Sequence, residues 1–495
     1  MNWCTGHKRL SQAGLIQRVD EPEHDFRVRG VTQDSRQVVP DGIFVAIRGT
    51  MADGHDFIAH AIDRGARGIV CERIPKHANH SDVHYLLTKS ARKALAELAA
   101  AFYKDPGEQL HLTGVTGTNG KTTTSTLIRH VLEITGTHTG LISSVVYTHG
   151  TESQAATLTT PDAPQLQRFL SNMVTSGCNA CVMEVSSHAL SQERVGGLSF
   201  DVAVFTNLMH DHLDFHGTMD RYLRAKKNLF DNLSKDAVAV YNIDDYAGHR
   251  MVADTRATRC AYGKETDAHV RFTVLEDNLS GLRLRLDGTD CTFRLAGTFN
   301  AYNLAAAYAA ARTTGLQRST VLDALCEAPP VPGRFEQFVC GDGTLVVIDF
   351  AHTPDALQGM LEALQTAKPS GAHVWCIFGC GGDRDQAKRP LMGRVAERFA
   401  DRVIVTSDNP RSENPQAIAD AILQGLQTPS RATWIADRRD AVHYVARNCV
   451  PGDIVLVAGR GHETTQIVQG RAVTLNDRDE VQLAFAARGI QNRAS

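Results

Sequence analysis

The chain has 495 residues, 42% of them hydrophobic and 22% charged, with 40 glycines, a balance that excludes fibrous and disordered classes and suits an α/β enzyme. A formal net charge of −3 argues against nucleic acid as a partner, so any anionic ligand has to be met by local sites. Residues 1–14 hold no signal-peptide core and no apolar run approaches the roughly 20 residues of a membrane span, which predicts a cytoplasmic protein without membrane insertion.

Length alone predicts about three domains; they are expected at residues 1–108, 109–332 and 333–495. In the first, strand-like segments 42–47 and 68–71 alternate with helix-like segments 57–64 and 90–102. Lys104-Asp105-Pro106-Gly107 then breaks both periodicities.

The second block opens on Gly114-Val115-Thr116-Gly117-Thr118-Asn119-Gly120-Lys121-Thr122-Thr123, between a short strand at 113–115 and an amphipathic helix over 125–133 that stops near Gly136. Glycines let successive N–H groups turn toward an anion, the helix start presents its positive dipole end, and Lys121 adds a point charge. The Thr122 hydroxyl is placed to bind nucleotide-borne magnesium. Gly117, Thr118, Asn119, Gly120, Lys121, Thr122 and Thr123 are therefore the candidate ATP-binding loop, a variant one, because Val115 stands where the common pattern has glycine.

A strand over 179–185 carries Glu184, a carboxylate where bound magnesium needs an oxygen ligand, followed by Ser186-Ser187-His188. The strand over 201–208 empties into His210-Asp211-His212-Leu213-Asp214-Phe215-His216. A dinuclear metallohydrolase would use a similar loop, but Phe215 displaces the last histidine by one position. A nucleotide-gated switch is a third reading, and acceptor-dependent phosphate release separates it from a ligase.

Ala328-Pro329-Pro330-Val331-Pro332-Gly333 interrupts any regular element. Beyond it, strands at 346–350, 373–378, 402–406, 433–436 and 453–458 alternate with helices at 391–399, 415–426 and 440–448, which predicts a parallel sheet with helices on both faces and ligands at the carboxyl ends of its strands. The eleven cysteines, an odd number, read as free thiols; Cys178 with Cys181 and Cys376 with Cys380 lie in apolar runs that lack two further zinc ligands.

With Gly117-Thr118-Asn119-Gly120-Lys121-Thr122-Thr123, Met183-Glu184-Val185-Ser186-Ser187-His188, Asn207-Leu208 with Asp211-His212-Leu213-Asp214, residues 297–303, and Asp349-Phe350-Ala351-His352-Thr353-Pro354 in that order, nearly the whole chain resembles the Mur ligases of peptidoglycan synthesis. The resemblance implies an α/β protein of three domains: a central P-loop ATPase-type parallel sheet, an N-terminal α/β UDP-sugar domain and a C-terminal Rossmann-like domain for the incoming amino acid. It implies an ATP- and Mg2+-dependent ligase acting on UDP-N-acetylmuramoyl-L-alanyl-D-glutamate, as a monomer.

In the family, Asp408-Asn409-Pro410-Arg411 marks users of meso-diaminopimelate; Arg384, Gly459 and Glu463 complete that pocket, Arg411 gripping a carboxylate and Glu463 facing an ammonium. Lysine, or glutamate as in the related folylpolyglutamate synthetases, remains the alternative acceptor. Carried over likewise are a magnesium set of Thr122, Glu184, His212 and a carbamylated Lys226, whose neighbour Lys227 leaves the helix register open. Asn300, Asn303, Asp349 and His352 match nucleotide contacts, and Arg334 the outer-phosphate contact. Gln33, Ser35, Thr50, Met51 and Ala52 match the UDP-sugar site, and Leu158, Thr159, Thr160, Ser186, Gln192 and Arg194 positions that hold the muramoyl dipeptide.

Overall fold

The computed structural model describes residues 1–17, 25–49, 52–75 and 82–493, so Thr50 and Met51 lie outside the described residues. Three large sheets follow one another along the chain. The first is four parallel strands in sequential order: β1 (Val31–Thr32), β2 (Gly42–Val45), β3 (Ala66–Cys71) and β4 (His84–Leu87). Helices Trp3–Gln12 and Ala91–Phe102 cover one face, where Trp3, Leu10 and Leu95 are buried, and Ile58 and Ala61 of helix Ile58–Asp63 cover the other.

The second sheet has eleven strands: β5 (His111–Thr116), β6 (Thr139–Ile142), β7 (Val146–His149), β8 (Glu152–Ala155), β9 (Ala180–Glu184), β10 (Val202–Phe205), β11 (Val238–Asn242), β12 (Thr258–Gly263), β13 (Val270–Asn278), β14 (Gly281–Leu286) and β15 (Thr289–Phe293). Their spatial order is β15-β14-β13-β12-β11-β10-β5-β9-β6-β7-β8, with parallel pairing from β13 to β6. β5, β9 and β10 are buried along nearly their whole length, as strands packed by helices on both faces must be. Sequence reading did not identify the antiparallel meander β13–β15, although Leu282, Leu284 and Leu286 alternate with Arg283 and Arg285, the pattern of a sheet with one solvated face.

The third sheet comprises β16 (Glu336–Val339), β17 (Leu345–Asp349), β18 (Val374–Phe378), β19 (Arg402–Val405), β20 (Ala432–Trp434), β21 (Ile454–Ala458) and a closing β24 (Gln491–Asn492), ordered β20-β19-β18-β21-β17-β16-β24. Its first five strands in that order pair in parallel, the expected α/β arrangement. A separate hairpin, β22 (Thr465–Val468) with β23 (Arg471–Thr474), stands beside it. Cys178, Cys181, Cys376 and Cys380 are buried free thiols. Among the described residues no helix is long and apolar enough to cross a membrane.

One buried ion pair secures the loop after β21. Arg438 and Asp477 are both 0% exposed, joined by contacts of 2.7 and 2.8 Å, and Arg438 Nη2 also donates to Ala458 O at 2.8 Å. Asp477→Asn leaves the guanidinium without a counter-charge in a site closed to water, and is expected to cost roughly 3–5 kcal/mol in urea unfolding. A loss below about 1 kcal/mol would show that the site hydrates.

Candidate functional site

The phosphate loop is shaped by two close approaches. After β5 the chain turns through Gly117 (φ +151°) and Gly120 (φ +85°) into helix Lys121–Ile134, four residues earlier than the sequence periodicity marks it. A Cβ would fall 1.8 Å from Thr206 Oγ1 at Gly117 and 2.3 Å from Asn303 Oδ1 at Gly120, so glycine is required at both. Asn207 fixes the loop by accepting from Thr118 N and Asn119 N, each at 2.9 Å. Lys121 Nζ lies across the loop, 3.1 Å from Gly117 O and 2.8 Å from Thr118 O. Burial lowers its pKa, an effect Glu184 and Asp211 oppose and Arg334 reinforces.

Glu184, fully buried at the end of β9, faces the same space. Its carboxylate accepts from Ser144 N at 2.7 Å and from Ser144 Oγ at 2.9 Å on both oxygens; Ser144 Oγ is also 3.2 Å from Thr122 Oγ1. Sequence reading did not single out Ser144, whose only signal is a hydroxyl just past strand β6. Behind Glu184, Thr160 Oγ1 donates to Glu184 O at 2.8 Å and meets Ser186 Oγ at 3.4 Å, while Arg194 Nη1 donates to Thr160 O at 2.8 Å and its Nη2 to Gln192 Oε1, also at 2.8 Å. Thr160, Ser186, Gln192 and Arg194 thus form one network; Leu158 donates its backbone N–H to Tyr147 Oη at 3.0 Å, and Thr159 lines the cavity described below.

The histidines after β10 diverge. His210 Nε2 sits 3.0 Å from Asp385, His212 packs edge-on against His188 with centroids 4.7 Å apart, and His216 Nε2 meets Ser187 Oγ at 2.9 Å. Among the described residues no three His, Cys, Asp or Glu side chains gather around a metal position, so the dinuclear hydrolase reading loses its geometric basis. Burial drives the His212 pKa down to about 3 against the opposing charge of Asp211, leaving a neutral ring with a lone pair. Lys226, 1% exposed, donates to Gly117 O at 2.7 Å and lies 4.6 Å from the centroid of Tyr222; burial and Lys121 hold its amine well below the ordinary lysine range. Lys227 instead pairs at the surface with Asp231 and Asp254, so the register left open by the sequence turns Lys226 toward the loop.

The third sheet closes the opposite wall. Arg334 Nη2 donates to Thr122 Oγ1 at 2.9 Å, with its guanidinium 4.4 Å over the Phe350 ring. Asp349 Oδ2 accepts from Phe335 N at 2.7 Å, and burial raises that carboxyl's pKa. Asn303 Nδ2 donates to Asn300 Oδ1 at 2.9 Å, and His352 Nδ1 lies 2.7 Å from Phe350 O. Asp211, which the sequence reading quoted without assigning, bridges to this wall, 3.7 Å from both His352 Nε2 and Lys388 Nζ. After β19, Asn409 Oδ1 accepts from Ile467 N at 2.9 Å, and Arg411 N donates to Ile467 O at 2.9 Å, so hairpin β22–β23 pins the Asp408-Asn409-Pro410-Arg411 loop. Arg411 Nη1 donates to Gly382 O at 2.6 Å; Glu463 takes Asn409 Nδ2 at 2.8 Å and Arg460 Nη1 at 3.3 Å.

One cavity of about 1000 Å³ joins these parts. Lys121, Thr122, Glu184, His212, Asn300, Asn303 and Arg334 line it together with Asp349, His352, Arg384, Asp408, Asn409, Arg411, Gly459 and Glu463. Gln33, Ser35 and Ala52 do not line it: they sit at the first sheet, where His60 Nδ1 lies 3.0 Å from Ser35 Oγ and Gln33 Nε2 reaches Asp162 of the second block at 3.5 Å. Next to the cavity, His216 is 6% exposed and burial lowers its pKa to about 4. The folded form therefore binds fewer protons than the unfolded chain, and stability falls as pH drops from about 6.5 toward 4. Between pH 7 and pH 5 the wild-type chain is expected to lose up to about 2 kcal/mol more unfolding free energy than His216→Gln, as read by urea titrations at both values.

Residues 27–103 match the Mur ligase family catalytic domain, residues 115–311 the Mur ligase middle domain, and residues 333–461 the Mur ligase glutamate ligase domain. The chain is 42% identical over 456 residues to the UDP-N-acetylmuramoyl-L-alanyl-D-glutamate--2,6-diaminopimelate ligase of Cytophaga hutchinsonii, covering 92% of this chain and 94% of the relative. It is 43% identical over 473 residues to the protein of that name from Chlorobaculum tepidum, covering 93% and 92%. A solved structure of a UDP-N-acetylmuramoyl-L-alanyl-D-glutamate--2,6-diaminopimelate ligase superposes with a TM-score of 0.64 at 32% identity, covering 95% of this chain and 96% of the other. With its three matched regions in one sheet each, and relatives of this identity across almost its full length, the chain belongs to the Mur ligase family.

Proposed function

We propose that this chain is the ATP-dependent ligase that joins meso-2,6-diaminopimelate to UDP-N-acetylmuramoyl-L-alanyl-D-glutamate, as the names of its relatives say of them. The observation that carries the reading is the single cavity in which Lys121, Arg334 and Glu184 share a space with Arg411, Asn409 and Glu463. A phosphate-handling wall and an amino-acid wall face each other, as a reaction that phosphorylates a carboxylate and then admits an amine requires. The three blocks divide the work: residues 1–108 hold the UDP-sugar, 109–332 the nucleotide, and 333–495 the amino acid. This reading keeps the chain a monomer working in the cytoplasm, where ATP and the UDP-linked precursor are met.

ATP gives its γ-phosphoryl to the terminal carboxylate of the dipeptide, and the diaminopimelate amine displaces phosphate from the acyl phosphate. Two anions must meet in the first step, so the protein's contribution is cationic charge and alignment. Lys121 and Arg334 supply the charge, the loop N–H groups orient the phosphates, and Asn300, Asn303, Asp349 and His352 hold the nucleoside. Thr160, Ser186, Gln192 and Arg194 set the dipeptide carboxylate beside Glu184. Gly382 O orients Arg411, leaving its other N–H groups for the distal carboxylate of diaminopimelate, while Glu463 faces the ammonium. The residues fit Mg2+: Thr122 and Glu184 offer hard oxygen donors joined through Ser144, His212 is neutral, and burial biases the Lys226 amine toward the uncharged form that carbamylation by CO2 needs. Bound there, Mg2+ would neutralise phosphate charge as the phosphoryl group moves.

Phosphate release should require the UDP-linked dipeptide together with diaminopimelate and should not be supported by lysine or glutamate. With 18O in the dipeptide carboxylate, label is expected in the released phosphate; unlabelled phosphate would rule out the acyl phosphate. Arg411→Ala is expected to raise the KM for diaminopimelate by about tenfold to hundredfold while changing that for ATP by less than about twofold, the loss of one charge-assisted contact. Equal effects on both would separate Arg411 from acceptor selection.

A further inference from the structure

A hydroxyl carries one hydrogen, and that count orders the contacts around Glu184. Glu184 is fully buried and its two oxygens both lie 2.9 Å from Ser144 Oγ, so Ser144 spends its hydrogen on the carboxylate. The 3.2 Å contact between Ser144 Oγ and Thr122 Oγ1 must then be donated by Thr122, and Thr122 in turn accepts from Arg334 Nη2 at 2.9 Å. The result is a one-way chain from Arg334 through Thr122 and Ser144 to Glu184. In such a chain each donor polarises the next, and the end carboxylate has one preferred orientation. Ser144 itself is fixed from the third sheet: His462 Nε2 lies 3.0 Å from Ser144 O, and since a carbonyl only accepts, Nε2 carries the proton. His462 adjoins Glu463 in the loop after β21, and its ring packs on Phe350 with centroids 5.3 Å apart.

We propose that Ser144 is a positioning residue that holds Glu184 in its working orientation, and that His462 fixes Ser144 from the loop that carries the acceptor-pocket residue Glu463. The inference rests on the proposed function for the role of Glu184 as a magnesium ligand. It adds a direct link between the two walls of the cavity: the loop that contributes Glu463 to the amino-acid pocket also buttresses the carboxylate of the phosphoryl-transfer centre. Ser144 touches no reacting atom and acts through Glu184 and Thr122.

The test uses the full chain and two readouts. Mn2+ binding in the presence of the non-hydrolysable analogue AMP-PNP, followed by electron paramagnetic resonance, reports on the metal site whatever the acceptor is. Steady-state ligation reports kcat and KM. Ser144→Ala is expected to weaken Mn2+ binding and to lower kcat by about tenfold to hundredfold, the effect of losing a hydrogen bond to a charged group, with KM for the amino acid changed by less than about twofold. Ser144→Thr, which keeps the hydroxyl, should restore both. His462→Phe keeps the ring and removes the donor; because the Ser144 backbone N–H also donates to Glu184 at 2.7 Å, it should weaken Mn2+ binding in the same direction as Ser144→Ala. Wild-type Mn2+ affinity in Ser144→Ala or in His462→Phe, or failure of Ser144→Thr to rescue, would overturn the proposal. Should the wild-type chain fail to ligate diaminopimelate while Ser144 still governs Mn2+ binding, the functional reading falls and the positioning role stands.

Discussion

The phosphate loop is built around a cluster of buried basic side chains. Lys121, Arg334 and Lys226 converge on the phosphate loop; burial lowers the pKa of all three, Arg334 adding to the effect on Lys121 and Lys121 to that on Lys226. Arg334 is held by a neutral hydroxyl and an aromatic face rather than by a paired carboxylate, and Glu184, which faces the same space, is committed to Ser144. Such a constellation is costly to keep in a folded chain unless its counter-charge arrives from outside. A polyphosphate supplies that counter-charge at the location where the chemistry needs neutralisation, so the same electrostatics that strain the free protein favour the nucleotide and the developing charge of the reaction.

The architecture delivers these groups by repetition of one rule. The residues of the proposed site lie just beyond the carboxyl ends of parallel strands: the phosphate loop after β5, Ser144 after β6, Glu184 closing β9 and His212 after β10. In the third sheet, Asp349 closes β17, Arg384 follows β18, Asp408 to Arg411 follow β19 and Gly459 to Glu463 follow β21. Two such sheets facing each other enclose one cavity, stitched by Arg334 to Thr122, His462 to Ser144, and Asp211 to His352 and Lys388. The hairpin β22–β23 lies outside both sheets and holds the Asp408–Arg411 loop, while also accepting from Arg460 at Thr465 O and from Arg439 at Thr474 O.

What the sequence made legible follows from how local each signal is. The phosphate loop was readable because its glycines, lysine and threonine are contiguous and each has a geometric reason, down to Gly120, where a Cβ would collide with Asn303. The β/α alternation after residue 333 was readable because buried parallel strands are short, apolar and punctuated. Ser144 was not, because its meaning lies in a contact with Glu184, 40 positions away, and one hydroxyl beyond a strand carries no pattern of its own. Lys388 escaped for the same reason: it looks like an ordinary helix-start lysine until the fold sets it beside Asp211. The register at Lys226 and Lys227 could only be decided by which side of helix Met219–Asp231 meets the loop. The histidine-rich segment 210–216 read as one cluster because its residues are adjacent, whereas the backbone sends His210 to Asp385 and packs His212 and His216 on His188 and Tyr222.

The contact between Arg334 and Thr122 spans 212 positions, and that between His462 and Ser144 spans 318. A nascent chain leaving the ribosome exposes its nucleotide loop long before either partner has been translated, while segments upstream are already folding as units. Partial products of synthesis consequently carry the loop without its arginine or its anchored carboxylate. The proposed phosphoryl-transfer centre is thus complete only once residues up to His462 have been made.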